Sequence, residues 1–308
     1  MLSSIPKVLS TIFMMLYLAT VAQAQERADL PVSADKPLEK SVDELINTPE
    51  KNTERKTNAL PLWEVGLLGT AITHPAYPGA DEHSSILLGL PYMIYRGEYL
   101  RIDRGNVGVR AIKTPRIELD VGFAASLGAR ASDVEARRGM DDLGILVEFG
   151  PRLKVNLGEE SEGRRRSRIQ LAMRGVFDLN DHLSYHGIAF EPEWVRDISP
   201  TGPWFISTSL GAVYGDQKLA DTFYRVSPNE ATTTRPAYDA RVGLIALRAG
   251  FFASRLLNPD VRFFGFMRLE TVNGAVNHDS PLVRRDYGWA AGIGLAWTLA
   301  RSESIAKD

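Results

Sequence analysis

Apolar and polar residues alternate with a period of two through residues 139–157 of this chain. Every odd position from Leu143 to Leu157 is apolar, whereas Glu148 and Arg152 occupy even positions. This period is typical of a β-strand with one apolar and one polar face. A run of about fifteen residues exceeds the usual strand of about five or six and the nine to eleven or so that cross a bilayer at a tilt. The pattern fits a strand of an outer-membrane β-barrel, and it also fits a long strand of a soluble sandwich.

The same alternation recurs from Trp63 to Leu299 and predicts about twelve strands, with ten as the lower bound. In the last strand, aromatic and aliphatic residues alternate with Gly and Ala, which suits a crowded interior. A slip of phase at Ile245 to Leu247 predicts a β-bulge. The expected strand spans are 63–73, 84–95, 98–103, 106–113, 116–129, 142–157, 167–180, 187–197, 203–214, 238–254, 260–273 and 286–299.

The connections between these strands sort by length between two ends of the predicted sheet. The long set, which also contains a tight turn at 104–105, consists of 74–83, 130–141, 181–186, 215–237 and 274–285. The short set, which also contains a longer turn at 158–166, consists of 96–97, 114–115, 199–202 and 258–259. Outer-membrane barrels carry long loops on one side and short turns on the other. This sorting favours a closed antiparallel transmembrane β-barrel over a sandwich.

The first residues have the features of a secretory signal peptide. Lys7 supplies a positive charge, residues 8–21 are apolar, and Ala22-Gln23-Ala24 is a cleavage site that leaves Gln25 as the first mature residue. Export excludes a cytoplasmic enzyme. Residues 25–60 are polar and rich in charge, which predicts a disordered periplasmic tether, although a short helix over 38–46 is an alternative. The predicted organisation is a signal peptide at 1–24, the tether at 25–60, a barrel at 61–300 and a C-terminal tail at 301–308.

Composition narrows the possible chemistry. Lys and Arg number 36 and Asp and Glu number 38, so the charge balance gives no indication of nucleic-acid binding. The chain has no cysteine, which excludes disulfides and thiolate chemistry. No apolar run after the signal is long enough for a transmembrane helix, so a membrane crossing would need β-strands. The histidines fit no metal-site or catalytic spacing, and we expect no catalytic residue, cofactor or metal; they are His74, His83, His182, His186 and His278.

Charged residues on the polar faces of the strands are the remaining candidates for function. They either form a salt-bridged plug, which we favour for a barrel of this size, or line an aqueous pore. These residues are Glu118, Asp120, Glu148, Arg152, Lys154, Arg168, Arg174, Glu191, Glu193, Arg262, Arg268 and Glu270. A basic run on the predicted periplasmic side is either a solvated turn, which we favour, or a docking patch for a periplasmic partner; it consists of Arg164, Arg165 and Arg166.

The central stretch resembles a motif of the MipA/OmpV family, the MltA-interacting proteins. The residues that carry the motif are Gly139, Met140, Asp141, Asp142, Leu143 and Gly144, followed by Glu148, Gly150 and Pro151. Leu90-Pro91-Tyr92, the segment from Tyr224 to Pro228, and the segment from Ser280 to Val283 are similar to other family segments. The resemblance covers about Leu62 to Leu299. The long tether departs from the family pattern, and so does the chain beyond Leu299, since such barrels usually end on a terminal aromatic residue.

The resemblance implies a monomeric, non-enzymatic protein in contact with the lipid of the outer membrane of a Gram-negative bacterium. Its implied role is a scaffold that binds a periplasmic lytic transglycosylase and a cell-wall synthase during peptidoglycan remodelling. A porin-like channel for small polar solutes is the second reading. A soluble periplasmic β-sandwich that binds a ligand or partner is the third.

Overall fold

The computed structural model describes residues 60–96, 100–103, 106–109, 112–160, 165–199 and 202–306. These residues form thirteen strands of one antiparallel sheet and one α-helix, α1, at Gln217–Tyr224. Two short 3₁₀ turns lie at Ala131–Asp133 and Glu135–Arg137. The strands are β1 Trp63–Pro75, β2 His83–Arg96, β3 Leu100–Asp103, β4 Asn106–Val109, β5 Ile112–Lys113, β6 Ile117–Ser126, β7 Leu146–Glu160, β8 Arg165–Asp178, β9 Ser184–Ile198, β10 Trp204–Gly215, β11 Gly243–Asn258, β12 Val261–Thr271 and β13 Tyr287–Arg301.

The all-β antiparallel class predicted from the alternation is confirmed. Ten strands have 10 to 16 residues, and three have two to four. The prediction of about twelve strands needs one correction, because the expected strand at 106–113 is divided into β4 and β5. The first part pairs with β3 and the second with β6, so the pairing partner changes within the segment.

The sheet curls so that its two edges approach one another. The order of strands is β4-β3-β2-β1-β13-β12-β11-β10-β9-β8-β7-β6-β5. The edge strands β4 and β5 are separated by two residues along the chain. Three Cα–Cα steps of about 3.8 Å limit the gap from Val109 to Ile112 to about 11 Å. Residues of β4 also lie within 8 Å of residues of β6.

The two faces of the sheet follow the period of two along each strand. The outer face exposes large apolar side chains, among them Leu67, Phe149, Met173 and Ile293. The inner face carries the buried positions between them, such as Leu68 next to Leu67 and Arg174 next to Met173. Successive side chains of a strand point to opposite sides, so the alternating sequence separates an apolar exterior from a mixed interior.

The long loops lie at one end of the strands, where β1–β2, β6–β7, β10–β11 and β12–β13 are connected. Several strand ends differ from the predicted ones. β11 begins at Gly243, because Tyr238 pairs with Val226 in the preceding loop. β7 begins at Leu146, because Leu143 pairs with Ala129. The predicted long turn at 158–166 shrinks, since β7 and β8 continue to 160 and from 165.

The predicted bulge in β11 is confirmed. Val213 of β10 pairs with Ala246, and Tyr214 pairs with Leu244, so Ile245 is the additional residue. Beyond this bulge the inner positions of β11 are even-numbered, and they include Arg248 and Phe252.

The termini of the described chain meet at the end with the short turns. Leu62 N donates to Ser304 O at 2.8 Å, and Ala306 N donates to Leu60 O at 2.9 Å. The predicted signal peptide at 1–24, residues 25–59 of the predicted tether and the alternative helix at 38–46 lie outside the described residues. Among the described residues, no helix has the length and apolar character that a bilayer-spanning helix needs.

Gly150 allows the closest approach between β7 and β8. A Cβ at this position would lie 2.1 Å from Met173 O and 2.9 Å from Arg174 Cα. Both are backbone atoms, so the clash can be relieved only if the strand β8 moves. We expect Gly150→Ala to lower the free energy of unfolding by about 1–3 kcal/mol through overpacking. Denaturant unfolding in detergent micelles measures the change. Gly89→Ala is the control, since no atom lies within 4 Å of its Cβ; equal midpoints for the two variants would refute the close approach.

Candidate functional site: a charged interior beneath a loop cap

A row of alternating charges crosses the inner face from β7 to β12. Glu148 on β7 contacts Arg174 on β8 at 3.1 Å, and Arg174 also bonds Glu191 on β9. Glu191 contacts Arg248 on β11 at 3.2 Å, and Arg248 approaches Glu270 on β12 at 3.5 Å. Each guanidinium stands between two carboxylates, so each buried charge has a partner of opposite sign on a neighbouring element.

The charge row passes over β10 because Gly211 lies beneath it. Gly211 pairs with Arg248 on one side and with Glu193 on the other. A Cβ at Gly211 would lie 2.9 Å from Pro192 O, so a side chain there would crowd the crossing. At its β12 end the row finishes at Arg268, whose Nε lies 3.9 Å from Glu270. The complete row contains three arginines and three glutamates and is therefore neutral.

A second group of paired charges lies on β6 and β7. Arg152 donates from Nε and Nη2 to the two oxygens of Asp120, at 3.0 and 3.1 Å. Lys154 donates to Asp120 at 2.6 Å and to Glu118 at 3.2 Å. The fork of a guanidinium matches a carboxylate geometrically, so this pair also fixes the register of the two strands.

The other predicted interior residues also lie on the inner face. Arg168 forms an ion pair with Asp197, whose other oxygen accepts a hydrogen bond from Ser207 Oγ at 2.7 Å. A hydrogen bond links Ser209 and Glu193. Arg262 is buried on β12. All twelve charged residues predicted for the interior thus occupy the face that the alternation assigns to them.

Sequence reasoning missed other charged residues of this face. The parity of Asp197 matches that of Glu191 and Glu193, so the alternation could have indicated it. Arg248 was hidden because the bulge at Ile245 reverses the phase of β11. Near the short turns, Arg96 contacts Glu64 at 2.7 Å.

An aromatic cluster fills the inner face toward the short turns, and we call it the lower aromatic cluster. Its members are Leu68, Tyr92, Ile94, Phe205, Phe252, Phe264 and Ala296, with Phe266 packed against them. Phe205 and Phe252 meet edge to face at 6.3 Å between ring centroids. The hydroxyl groups of Tyr92 and Thr298 are hydrogen-bonded at 2.6 Å. The cluster joins six strands, β1, β2 and β10 to β13, and makes this part of the inner face apolar.

At the opposite end, the long loops fold over the interior and pack on one another. We call the residues 76–82, 127–145, 216–242 and 272–286 the loop cap. Helix α1 lies within it, with Asp216 as N-cap accepting from Leu219 N at 2.9 Å. Tyr224 is 1% exposed, and its hydroxyl donates to Pro78 O at 3.2 Å. Ser280 Oγ donates to Tyr224 O at 2.8 Å, so the helix end is tied to two other loops.

Two buried arginines hold the loop cap together through backbone carbonyls. Arg235 donates from Nη1 to Ala136 O at 2.9 Å and from Nη2 to Glu230 O at 2.6 Å. Arg137 lies over the Tyr77 ring, with 5.8 Å from its Cζ to the ring centroid. Burial lowers the pKa of Arg137, which remains protonated at neutral pH because an arginine pKa starts so high. These contacts connect loops that are far apart in sequence.

The first and second loops of the loop cap, 76–82 and 127–145, meet near the converging edges of the sheet. Glu82 Oε1 accepts a hydrogen bond from Glu135 N at 2.8 Å. Burial and a hydrogen bond to Asp81 raise the pKa of Glu82. The hydrogen bond to Glu82 lowers the pKa of Asp81, which also lies near Arg284 and Arg285. The two carboxyl groups are therefore neighbours whose pKa values shift in opposite directions.

The raised pKa of Glu82 predicts a pH dependence of the loop contact. Because the folded-state pKa of Glu82 is raised, its contribution to stability is complete below its ordinary pKa and is lost as the pH rises through the raised value. We expect Glu82→Gln to remove that loss. The melting temperature of the variant minus that of the wild type should therefore increase as the pH rises from 4 to 8. The measurement is a thermal unfolding series across this range. A difference that shrinks with rising pH would contradict the assignment.

Most charged side chains of the interior therefore contact a charge of opposite sign, which leaves few of them for a solute. The lower aromatic cluster packs on β1, β2 and β10 to β13 at one end, and the loop cap packs on the strand ends at the other. Between them the charge row crosses the inner face. The arrangement resembles a structural core more than a lined passage.

One family of proteins accounts for most of this chain. A family model described as "MltA-interacting protein MipA" matches residues 66–299. The chain belongs to this family. The resemblance seen in the central motif is thereby confirmed.

The MipA-family motif at 139–144 forms a turn of the loop cap. Gly139 has φ of +82°, a conformation that glycine adopts without strain. Asp142 Oδ1 accepts from Ala131 N at 2.6 Å, and Leu143 pairs with Ala129. A Cβ at Gly144 would lie 2.0 Å from the Asp178 carboxylate, so any other residue there would have to displace that side chain. The motif thus shapes the loop that covers β7, and Met140 packs against the apolar cluster of the cap.

Three of the segments similar to MipA-family sequences come together in the loop cap. Leu143 from the central motif, Val226 from the second segment and Leu282 from the third belong to one buried cluster. Val226 is 1% exposed and Leu282 is fully buried. The segments that carry the family resemblance are therefore the ones that close the interior. Pro151, the last residue of the motif, lies on the outer face of β7, and Asp141 is exposed.

Solved structures with similar shape have little sequence in common with this MipA-family chain. A bacterial polysaccharide outer membrane secretin is 8% identical, with 77% of this chain and 99% of that chain covered and a TM-score of 0.39. The translocator domain of the autotransporter NalP from Neisseria meningitidis is 10% identical, with coverage of 77% and 88% and a TM-score of 0.36. A FadL homologue from Pseudomonas aeruginosa is 10% identical, with coverage of 80% and 73% and a TM-score of 0.33. Among curated proteins, none matches this chain.

The predicted basic patch is arranged differently from the expected turn. Arg165 and Arg166 begin β8 and pair with Glu160 and Glu159 of β7, so they belong to a strand. Arg164 lies outside the described residues. Across the described part of the chain, no group of three or more histidine, cysteine, aspartate or glutamate residues is arranged to hold a metal ion.

Proposed function

We propose that this MipA-family chain is a closed outer-membrane β-barrel whose filled interior makes it a scaffold for periplasmic cell-wall enzymes. Closure is supported by the two-residue link between the edge strands β4 and β5 and by the proximity of β4 and β6. It is also supported at the other end by the hydrogen bond from Glu135 N to Glu82. A closed ring leaves no unpaired edge in the membrane.

Membrane insertion is supported by the outer face. Exposed aromatic residues form two girdles along the strands. Those near the long loops are Tyr185, Tyr214, Tyr287 and Trp289, and those near the short turns are Trp63, Trp194, Trp204 and Trp297. Trp289 and Trp297 lie about 26 Å apart along the strand at 3.3 Å per residue, which a tilt of about 40° reduces to about 20 Å along the membrane normal. Both residues can therefore lie near the borders of the apolar band of about 25 Å that outer-membrane barrels present.

The filled interior is the observation that carries the scaffold role against the channel. A conducting pore needs a continuous wet path, whereas the lower aromatic cluster and the loop cap close both ends. The charge row joins five strands and stabilises the barrel at its middle. The surfaces outside the membrane would then carry the function. We expect neither catalytic residues nor a cofactor. We expect the barrel to work as a monomer.

The partner proposal comes from the family description, which is that of proteins interacting with MltA. A lytic transglycosylase and a cell-wall synthase are the proposed partners, and contact with both would place a degrading and a building enzyme side by side. The periplasmic surface would consist of the short turns, the termini that meet at Leu60 and Ala306, and the proposed tether at 25–59. Arg165 offers an exposed positive charge at this end.

Three experiments test the proposal. Full-length mature chain in detergent should retain a purified lytic transglycosylase on an affinity column, and deletion of residues 25–59 should weaken that retention. A full-length mature chain that does not retain the transglycosylase would refute the scaffold. In planar bilayers we expect no steady single-channel current, and reproducible current steps would establish the channel instead. Release from membranes by carbonate without detergent would refute the barrel in favour of the soluble sandwich.

A further inference from the structure

The outer face contains an apolar groove that the scaffold proposal does not use. Its volume is about 890 Å³, and it crosses β1, β2 and β10 to β13. Four small residues lie in its floor, namely Ala71, Ala253, Gly265 and Ala291. Ala253 faces Gly265 on the neighbouring strand, and Ile293 stands between Gly265 and Ala71. Large apolar side chains form its walls, among them Leu87, Phe251, Met267 and Ile293. A smooth barrel exterior would have side chains of even height, so this depression has a defined shape.

The groove runs obliquely across the membrane-facing surface. At β10 it begins with Trp204, the first residue of that strand at the short-turn end. At β2 it reaches Ser85, which lies near the long-loop end. Residues that face one another on neighbouring strands rise along the barrel axis because the strands are tilted. The groove therefore leads from the periplasmic girdle into the hydrocarbon layer.

A cation stands at the periplasmic end of the groove. Arg255 pairs with Trp204 of β10 and with Phe263 of β12, and both of these side chains line the groove. The Arg255 guanidinium lies over the Trp204 ring at 5.8 Å from its centroid, and the residue is exposed. An apolar groove that ends in a positive charge at the membrane interface is complementary to an amphiphile with an acyl chain and an anionic headgroup.

We propose that this groove binds one anionic glycerophospholipid of the periplasmic leaflet, with an acyl chain along Ala253 and Gly265 and the phosphate at Arg255. The proposal rests on the membrane placement of the barrel. The small residues let the chain lie close to the backbone, and dispersion contacts along the groove hold it. Arg255 supplies the preference for a net negative headgroup over a zwitterionic one.

The experiment is native mass spectrometry of the full mature chain in detergent, titrated with phosphatidylglycerol or with phosphatidylethanolamine. The wild type should retain one phosphatidylglycerol per chain and bind it more tightly than phosphatidylethanolamine. Gly265→Leu fills the groove, and its Cβ would meet atoms only at 3.5 Å, an ordinary contact distance. We expect this variant to lose at least about tenfold in affinity for both lipids, since several buried CH₂ contacts are removed.

Arg255→Gln should weaken phosphatidylglycerol binding about fivefold and leave phosphatidylethanolamine binding unchanged, since one interfacial charge is removed. Gly89→Leu and Arg165→Gln are matched controls, because both residues are outside the lining of the groove. Both controls should bind lipid as the wild type does.

Wild-type affinity in Gly265→Leu would overturn the proposal. The lipid proposal would also be overturned if the wild type forms dimers and Gly265→Leu abolishes them, because the groove would then bind a second copy of the chain. Heat-dependent migration in detergent gels reports barrel insertion separately. If heating does not change the migration of the chain, the membrane placement is refuted. If heating does change it but Gly265→Leu binds lipid as tightly as the wild type, only the lipid site is refuted.

Discussion

Replacement of Arg174 by methionine is expected to lower the free energy of unfolding by about 3–5 kcal/mol, the usual cost of leaving a buried charge without its partner. Arg174 bonds Glu148 at 3.1 Å and also bonds Glu191, and its side chain is 7% exposed. The variant would leave Glu148 without this partner and Glu191 with Arg248 alone. Because Arg174 stands between these two carboxylates, its loss affects β7, β8 and β9 together.

Denaturant unfolding in detergent micelles, followed by tryptophan fluorescence, measures this effect. Arg268→Met is the matched control, since that side chain is 43% exposed and lies 3.9 Å from Glu270. The control should cost less than Arg174→Met, because Glu270 keeps Arg248 at 3.5 Å when Arg268 is replaced. Adding Glu148→Gln and Glu191→Gln to Arg174→Met should recover much of the loss. A change in the free energy of unfolding below about 0.5 kcal/mol for Arg174→Met lies within the range of ordinary surface substitutions. Such a result would show that the charge row contributes little to stability.

Tyr224→Ala is expected to destabilise the loop cap by about 3–5 kcal/mol, the cost of removing a large buried ring. Tyr224 is 1% exposed, donates to Pro78 O and lies within the apolar cluster that joins α1 to the strand ends. Limited proteolysis should cut residues 216–242 faster in the variant than in the wild type.

Tyr287→Ala is the control for Tyr224→Ala, because Tyr287 is 69% exposed on the outer face. We expect the control to resist protease as the wild type does. Tyr224→Ala should still conduct no current, because the lower aromatic cluster closes the other end. Protease resistance equal to that of the wild type would contradict the role of Tyr224 in the cap.

The alternation predicted the faces of the strands well, because a period of two is imposed by the backbone and by the difference between lipid and interior. It placed Glu148 and Arg174 on the same face. Their pairing requires the register between β7 and β8, which no single strand contains. Arg248 was missed because one extra residue at Ile245 inverts the parity of every later position in β11.

The loop cap had no comparable signal. Arg235 bonds carbonyl oxygens about 100 residues away along the chain, and loops have no periodicity that could indicate such a contact. Gly139 and Gly144 were recognised in the sequence as part of a motif. The reason for a glycine at 144 became clear only in the structure, where the Asp178 carboxylate lies beside it. The outer groove also cannot be predicted from single strands, because Ala253 and Gly265 face one another only when the sheet is assembled.

The most direct test of a lipid-facing exterior around a packed interior uses single cysteines, since the chain contains none of its own. On β13, Ala290 and Ala296 lie on the inner face at 5% exposure each, whereas Ile293 and Leu295 lie outside. Spin labels at these four positions in reconstituted vesicles report collisions with oxygen, which enriches in lipid, and with a water-soluble nickel complex. The outer pair should collide with oxygen alone, and the inner pair with neither reagent. Nickel collisions at Ala290 and Ala296 would reveal an aqueous lumen, and nickel collisions at Ile293 and Leu295 would show that the exterior faces water.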